Sequence, residues 1–137
     1  MYMKAELDYA FLAEYAKTER GTITAVGASF TEAKSSSFPS VLDVSVAGRI
    51  RRHESLDAPE VRITVIGPEE GEIPQIEFDF KVEDEVNAVH YDEKVASVFV
   101  FRAPILIEKP GLYKFEIELN GEFVRRLAFE VHQRDGQ

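Results

Sequence analysis

The amino-acid sequence predicts an all-β domain. The expected architecture is an antiparallel sandwich of two sheets and about eight strands, Greek-key and immunoglobulin-like, with a closed β-barrel or jelly roll as the alternative. Three observations predict it. Strand-like runs bounded by turn residues recur along the whole chain, with no helical pattern alternating between them. Tyr113, Phe115, Ile117 and Leu119 alternate with Lys114, Glu116 and Glu118, and after Asn120-Gly121 the residues Phe123, Leu127, Phe129 and Val131 resume an apolar period. One apolar and one charged face is what a strand covered on a single side requires. The polar outer faces of 76–82 and 112–119 favour two open sheets over a barrel.

The elements follow in order. Ala5, Leu7, Tyr9, Phe11 and Ala13 share one face of a first strand under a period of two, although Ala, Leu and Glu make a helix over 4–15 the competing reading. Lys17–Gly21 is a turn, and Thr22–Phe30 a β-branched second strand in which Gly27 marks a bulge or a close backbone approach. Residues 31–40, with their serines and Pro39, form a polar connection. Leu42, Val44, Val46, Gly48 and Ile50 make a third strand ending in Arg51-Arg52-His53. Val61, Ile63 and Val65 make a fourth, stopped by Gly67-Pro68 before the acidic tip Glu69-Glu70-Gly71-Glu72. Ile76, Phe78, Phe80 and Val82 alternate with charged residues in a fifth. Residues 83–94 are expected to form a loop with at most one helical turn. Ala96–Phe101 is apolar on both faces, the mark of a central strand covered on two sides, and Pro104 is expected to break it.

The terminal hairpin also predicts a register. A two-residue Asn120-Gly121 loop would pair Phe115 with Arg126 and turn the apolar residues of the returning strand to solvent. A three-residue loop, Asn120-Gly121-Glu122, instead pairs Leu119 with Phe123, Phe115 with Leu127 and Tyr113 with Phe129, and sets Glu116 against Arg126. The odd loop is the expectation, with Arg125 left on the inward face.

Composition bounds function. The chain of 137 residues is expected to be one domain, residues 1–137. It has no cysteine, so thiolate metal sites and disulfides are excluded and a reducing, cytoplasmic compartment is expected. No apolar run approaches a membrane span, and the first residues do not resemble a signal peptide. With 25 acidic against 16 basic residues, a net charge of −9 argues against nucleic acid and anionic membrane as partners.

The first and last quarters resemble a family of small uncharacterised bacterial proteins known as a domain of unknown function. The resemblance is carried by Lys4-Ala5-Glu6-Leu7, Ala13-Glu14-Tyr15-Ala16, Gly21-Thr22-Ile23 and Val26-Gly27-Ala28, and by Pro110-Gly111-Leu112-Tyr113-Lys114-Phe115 with Asn120-Gly121. Residues 31–95 carry no recognised motif. The resemblance implies a cytoplasmic bacterial β-domain and brings no activity with it.

Candidate chemistry is sparse. His53, His90 and His132 lie on different segments without metal-ligand spacing. His90-Tyr91-Asp92, followed by Glu93, is the one place where a histidine meets carboxylates locally, and would serve a small-molecule site or a hydrolase; a solvated loop is the simpler account. The acidic runs 69–72 and 83–85 lack the alternating aspartates of a calcium loop. Glu77 and Asp79 share a wet strand face, and Ser35, Ser36 and Ser37 lack a nucleophile elbow. Phenylalanine at alternating positions belongs to the core, leaving only the tyrosines for sugar stacking. Arg49, Arg51 and Arg52, with Arg126 if the strands are neighbours, form the basic cluster, a candidate contact surface or an ordinary exposed strand. The sequence therefore predicts a non-enzymatic interaction or structural module without metal or cofactor. It would bind a protein partner or self-associate through an edge strand, with a homodimer as one form of that association.

Overall fold

The described residues, 4–68, 74–82 and 84–134 of a computed structural model, form eleven strands and one helical turn. In chain order these are β1 (Glu6–Ala13), β2 (Tyr15–Glu19), β3 (Thr22–Val26), β4 (Glu32–Ser35), β5 (Ser40–His53), β6 (Glu60–Ile66), β7 (Pro74–Lys81), α1 (Asp84–Asn87), β8 (Ala88–Tyr91), β9 (Lys94–Ile107), β10 (Gly111–Leu119) and β11 (Glu122–Gln133). A four-stranded sheet is ordered β1-β5-β9-β8 and a five-stranded sheet β4-β11-β10-β6-β7, while β2 and β3 form a separate hairpin. The fold is all-β, and none of the three sheets closes into a barrel. The count exceeds eight because β2, β4 and β8 are only four or five residues long, too short to show a period. One pairing departs from the antiparallel expectation: β4 runs parallel to β11. The acidic tip at 69–72 lies outside the described residues, as does Glu83.

The two larger sheets share one core. Val44, Val46, Ile50, Phe99 and Ile105 from the first meet Val61, Ile63, Phe115, Ile117 and Phe129 from the second. Each such side chain contributes roughly 1.5–3 kcal/mol by leaving water. Tyr113 is fully buried, and its hydroxyl donates to the Lys109 carbonyl at 2.8 Å, which removes the cost of burying a phenol. Two of the alternating phenylalanines are exceptions: Phe78, on the edge strand β7, is 46% exposed, and Phe123 is exposed as well.

A second, smaller core lies on the outer face of the four-stranded sheet. There the β2–β3 hairpin packs Ala16, Ile23 and Ala25 against Phe11, Ala13, Ala47 and Val100. The alanines let the hairpin approach closely, and β9 is covered on both faces as its sequence requires. Pro104 does not break β9. β8 pairs only with Lys94–Ser97, so beyond that point β9 has an open edge where a missing N–H costs no ladder bond.

Three β-bulges interrupt the ladders, and those in β1 and β11 correct the strand faces read from simple alternation. In β1 the extra residue is Asp8, between the Leu7–Ile50 and Tyr9–Arg49 pairs. Ala5 and Leu7 therefore face the main core, but so do Ala10 and Leu12, while Tyr9, Phe11 and Ala13 turn outward. In β7 the extra residue is Gln75. In β11 it is Val124, and this overturns the three-residue loop. Leu119 pairs with Glu122 across a two-residue Asn120-Gly121 turn whose φ angles are 49° and 80°. Beyond the bulge the expected pairs of Glu116 with Arg126, Phe115 with Leu127 and Tyr113 with Phe129 all form. The bulge turns Phe123 to solvent (57% exposed) and packs Val124 on the core.

Candidate functional site

The outer face of the four-stranded sheet brings together two sets of residues that are far apart in sequence. Arg49 and Arg51 alternate on β5 and point outward, because Val46 and Ile50 point into the core. β1 lies beside them in register, Glu6 opposite Arg51 and Tyr9 opposite Arg49. On the far side of β9, Tyr91 of β8 pairs with Lys94 and shares this outward face. The tip of the β2–β3 hairpin reaches the same strand: a Cβ on Gly21 would stand 2.5 Å from Cγ2 of Val89.

The Asp8 bulge sets the electrostatics. Arg49 donates from Nε and Nη2 to Oδ2 of Asp8, at 2.9 and 2.5 Å. Arg51 Nη1 lies 3.3 Å from the other Asp8 oxygen, and its Nε donates to Glu6 at 2.6 Å. One carboxylate thus bridges two guanidiniums and a second caps the pair. The Asp8 side chain is only 17% exposed, so this pairing is less screened than a free surface bridge. The hydrogen bond to Asp8 raises the Arg49 pKa further above its ordinary value. Hydrogen bonds to Glu6 and then to Tyr91 do the same for Arg51. Arg49 also stands 5.6 Å over the Tyr9 ring, which stacks on Phe11 at 6.4 Å. Farther along, Arg102 lies 4.9 Å over Tyr15.

The predicted basic cluster is therefore an ion-paired platform flanked by half-exposed tyrosines. It presents aromatic rings and planar guanidiniums, the groups that carry most binding energy at protein interfaces. The other predicted residues lie elsewhere. Arg52 is buried near the end of β5, its Nε donating to the Leu56 carbonyl at 2.9 Å, and it braces the loop after that strand. Arg126 is exposed on β11, opposite Glu116, in the other sheet; β5 and β11 are not neighbours. His90 pairs with Val95, one residue out of phase with Tyr91, and so projects from the opposite face of β8. Asp92 occupies the β8–β9 turn at φ 49° and sits 3.4 Å from Lys94. His90, Tyr91 and Asp92 do not converge. Among the described residues no group of three His, Asp or Glu side chains is placed to hold a metal ion, and no helix is long and apolar enough to cross a membrane.

Sequence reading identified Arg49, Arg51 and Tyr91 but not Glu6, Asp8 and Tyr9. The signal was present in the matched spacing Glu6-x-Asp8 and Arg49-x-Arg51, which pairs charge for charge once the strands are adjacent.

Fold and face together define a small all-β domain bearing an ion-paired arginine–tyrosine platform. The chain belongs to the family of unknown function DUF6941, whose model matches residues 8–132. The match runs through residues 31–95, which carry no recognised motif, and begins after Lys4-Ala5-Glu6-Leu7. No curated protein matches the chain. Among solved structures, the alkylpurine DNA glycosylase AlkC of Pseudomonas fluorescens, bound to DNA containing an abasic site analog, is similar with a TM-score of 0.50 and 9% identity. The similarity covers 96% of this chain and 31% of that one. A β-glucosidase from Listeria innocua is similar with a TM-score of 0.50 and 12% identity, over 97% of this chain and 16% of the enzyme. At these identities the likeness is one of fold.

Proposed function

We propose that this domain is a non-enzymatic protein-interaction module of the bacterial cytoplasm, an immunoglobulin-like β-sandwich that engages its partner through the Tyr9–Arg49–Arg51–Tyr91 face. The observation that supports this reading is the convergence of those four side chains, from three strands, on one outward surface. Tyrosine and arginine are enriched at interface hot spots because they offer large, stiff contact area with a polar end. The platform is internally neutralised by Glu6 and Asp8, which suits a protein surface better than a phosphate backbone. In AlkC and the β-glucosidase the comparable fold is a minor share of a larger protein. The partner is a different protein or a second copy of this chain.

Photo-crosslinking tests the proposal. A crosslinking residue placed at Tyr9 or Tyr91 in the producing cell is expected to give a discrete protein adduct. The adduct should disappear in the Arg49→Glu/Arg51→Glu double variant. A crosslinker at Leu112, 38% exposed on the other sheet, should give none. Equal adducts from all three positions, or none from the tyrosines, would refute the assignment.

A further inference from the structure

We infer that the open edge of β9, from Val100 to Arg102, takes up an extended acidic and apolar peptide as an added strand. The groups involved are the backbone groups of a sheet edge and not the Tyr9, Arg49, Arg51 and Tyr91 side chains, so either assignment can fail without the other. β9 pairs with β5 along all its residues, Lys94 to Ile107, but β8 covers only Lys94–Ser97 on the other side. Among the described residues no strand continues that ladder.

The direction of the free backbone groups is visible at Leu106. The bulge in β7 aims the Gln75 side chain across to it: Leu106 N–H donates to Oε1 at 2.7 Å, and Nε2 donates to the Leu106 carbonyl at 3.1 Å. A side-chain amide thus supplies the two hydrogen bonds a neighbouring strand would make. Alternate residues of a strand send their N–H and C=O to the same edge, so Val100 and Arg102 present theirs as Leu106 does, while Val98 has the same phase but is buried. Pro104 has the same phase and no N–H to offer. The available ladder is therefore bounded by β8 and the buried Val98 at one end and by Pro104 with Gln75 at the other.

The surroundings specify the occupant. Beside this edge lies a cleft of about 280 Å³ with walls from Phe78, Phe80 and Phe101. Small-molecule sites occupy roughly 300–1,000 Å³, so this one fits one or two side chains better than a whole ligand. Asn87 lines the cleft too, and its buried Oδ1 has no hydrogen-bond partner among the described residues. Lys81 and Arg102 are exposed at the borders of this edge, in a chain whose net charge is −9. The partner is thus apolar at alternate positions and carries an acidic residue.

Selection from displayed random peptides about twelve residues long, against the full chain, tests this. The expected winners alternate apolar residues and include Asp or Glu. N-methylation of synthesised winners supplies the decisive measurement, because only every second peptide amide bonds to β9. Methylating one phase should weaken binding about tenfold or more, and methylating the other should leave it within about twofold. Arg102→Pro reproduces the arrangement of Pro104, sparing the β5 ladder while removing an edge donor and a cation, and should abolish binding. The N-methyl series decides the matter even if that variant unfolds. Equal effects of both phases, binding that survives in folded Arg102→Pro, or no enriched sequences would overturn the inference. So would a dimer in sedimentation that Arg102→Pro dissociates, since a second copy would then hold the edge.

Discussion

Gly48 has an ordinary backbone conformation, so its lack of a side chain is a matter of space. A Cβ there would lie 2.7 Å from the Tyr9 carbonyl oxygen and 2.9 Å from the Phe99 ring. Gly48→Ala is expected to destabilise by about 1–3 kcal/mol in urea unfolding, because both neighbours are held by the sheet. Ser45 predicts the opposite sign. Its hydroxyl is fully buried and has no hydrogen-bond partner among the described residues, so Ser45→Ala should leave stability unchanged or raise it by about 1 kcal/mol. Asp79 carries the pH prediction. A hydrogen bond from Arg62 at 2.7 Å holds its pKa below the ordinary carboxylate value. A depressed carboxylate pKa gives a stabilising contribution that is present above the ordinary value and is lost as pH falls through the folded one. Carboxyl NMR titration should show the Asp79 midpoint rising toward the ordinary value in Arg62→Gln.

At the scale of elements, two glycines separate backbone strain from crowding. Gly21 and Gly121 have nearly the same φ, 79° and 80°, each at the second position of a two-residue turn. Nothing lies within 4 Å of a Cβ at Gly121, whereas one at Gly21 would strike Val89. Gly121→Ala should cost about 1–2 kcal/mol from the left-handed conformation alone. Gly21→Ala should cost more, and the excess, read from paired melting curves, reports the contact between hairpin and β8. Elements were legible in the sequence wherever alternation ran for six residues or so, as in β7, β10 and the core of β5. Bulges were not, because one inserted residue leaves composition and local period intact on either side. Asp8 and Val124 each reversed a face that the preceding residues implied. β8 escaped for another reason: Ala88–Tyr91 is a strand by virtue of β9 beside it, with no period of its own. The candidate site was half legible for the same cause, since Arg49 and Arg51 stood out on one strand while their partners depended on which strand came next.

For the whole molecule, the division into one large shared core and one small alanine-lined core predicts two levels of stability. Amides of Val44–Ile50 and Tyr113–Leu119 sit in strands paired on both sides and should exchange with solvent only on global unfolding. Those of the β2–β3 hairpin rest on Phe11, Ala13 and Ala47 and should exchange through a cheaper local opening. Native-state hydrogen exchange at several denaturant concentrations distinguishes the two. A hairpin protected as strongly as β5 would mean that the small core folds as part of the large one.

The parallel pairing of β4 with β11 has a consequence for synthesis. Glu32–Ser35 leaves the ribosome early, yet its neighbour Glu130–Gln133 is translated after all ten other strands. Until then β4 has no ladder, β10 lacks one of its two flanking strands, and the hydrophobic layer is missing Phe129 and Val131. Nascent chains stalled before Glu122 should therefore remain protease-sensitive and depend on holding chaperones, and resistance should appear abruptly once the last strand has cleared the exit tunnel.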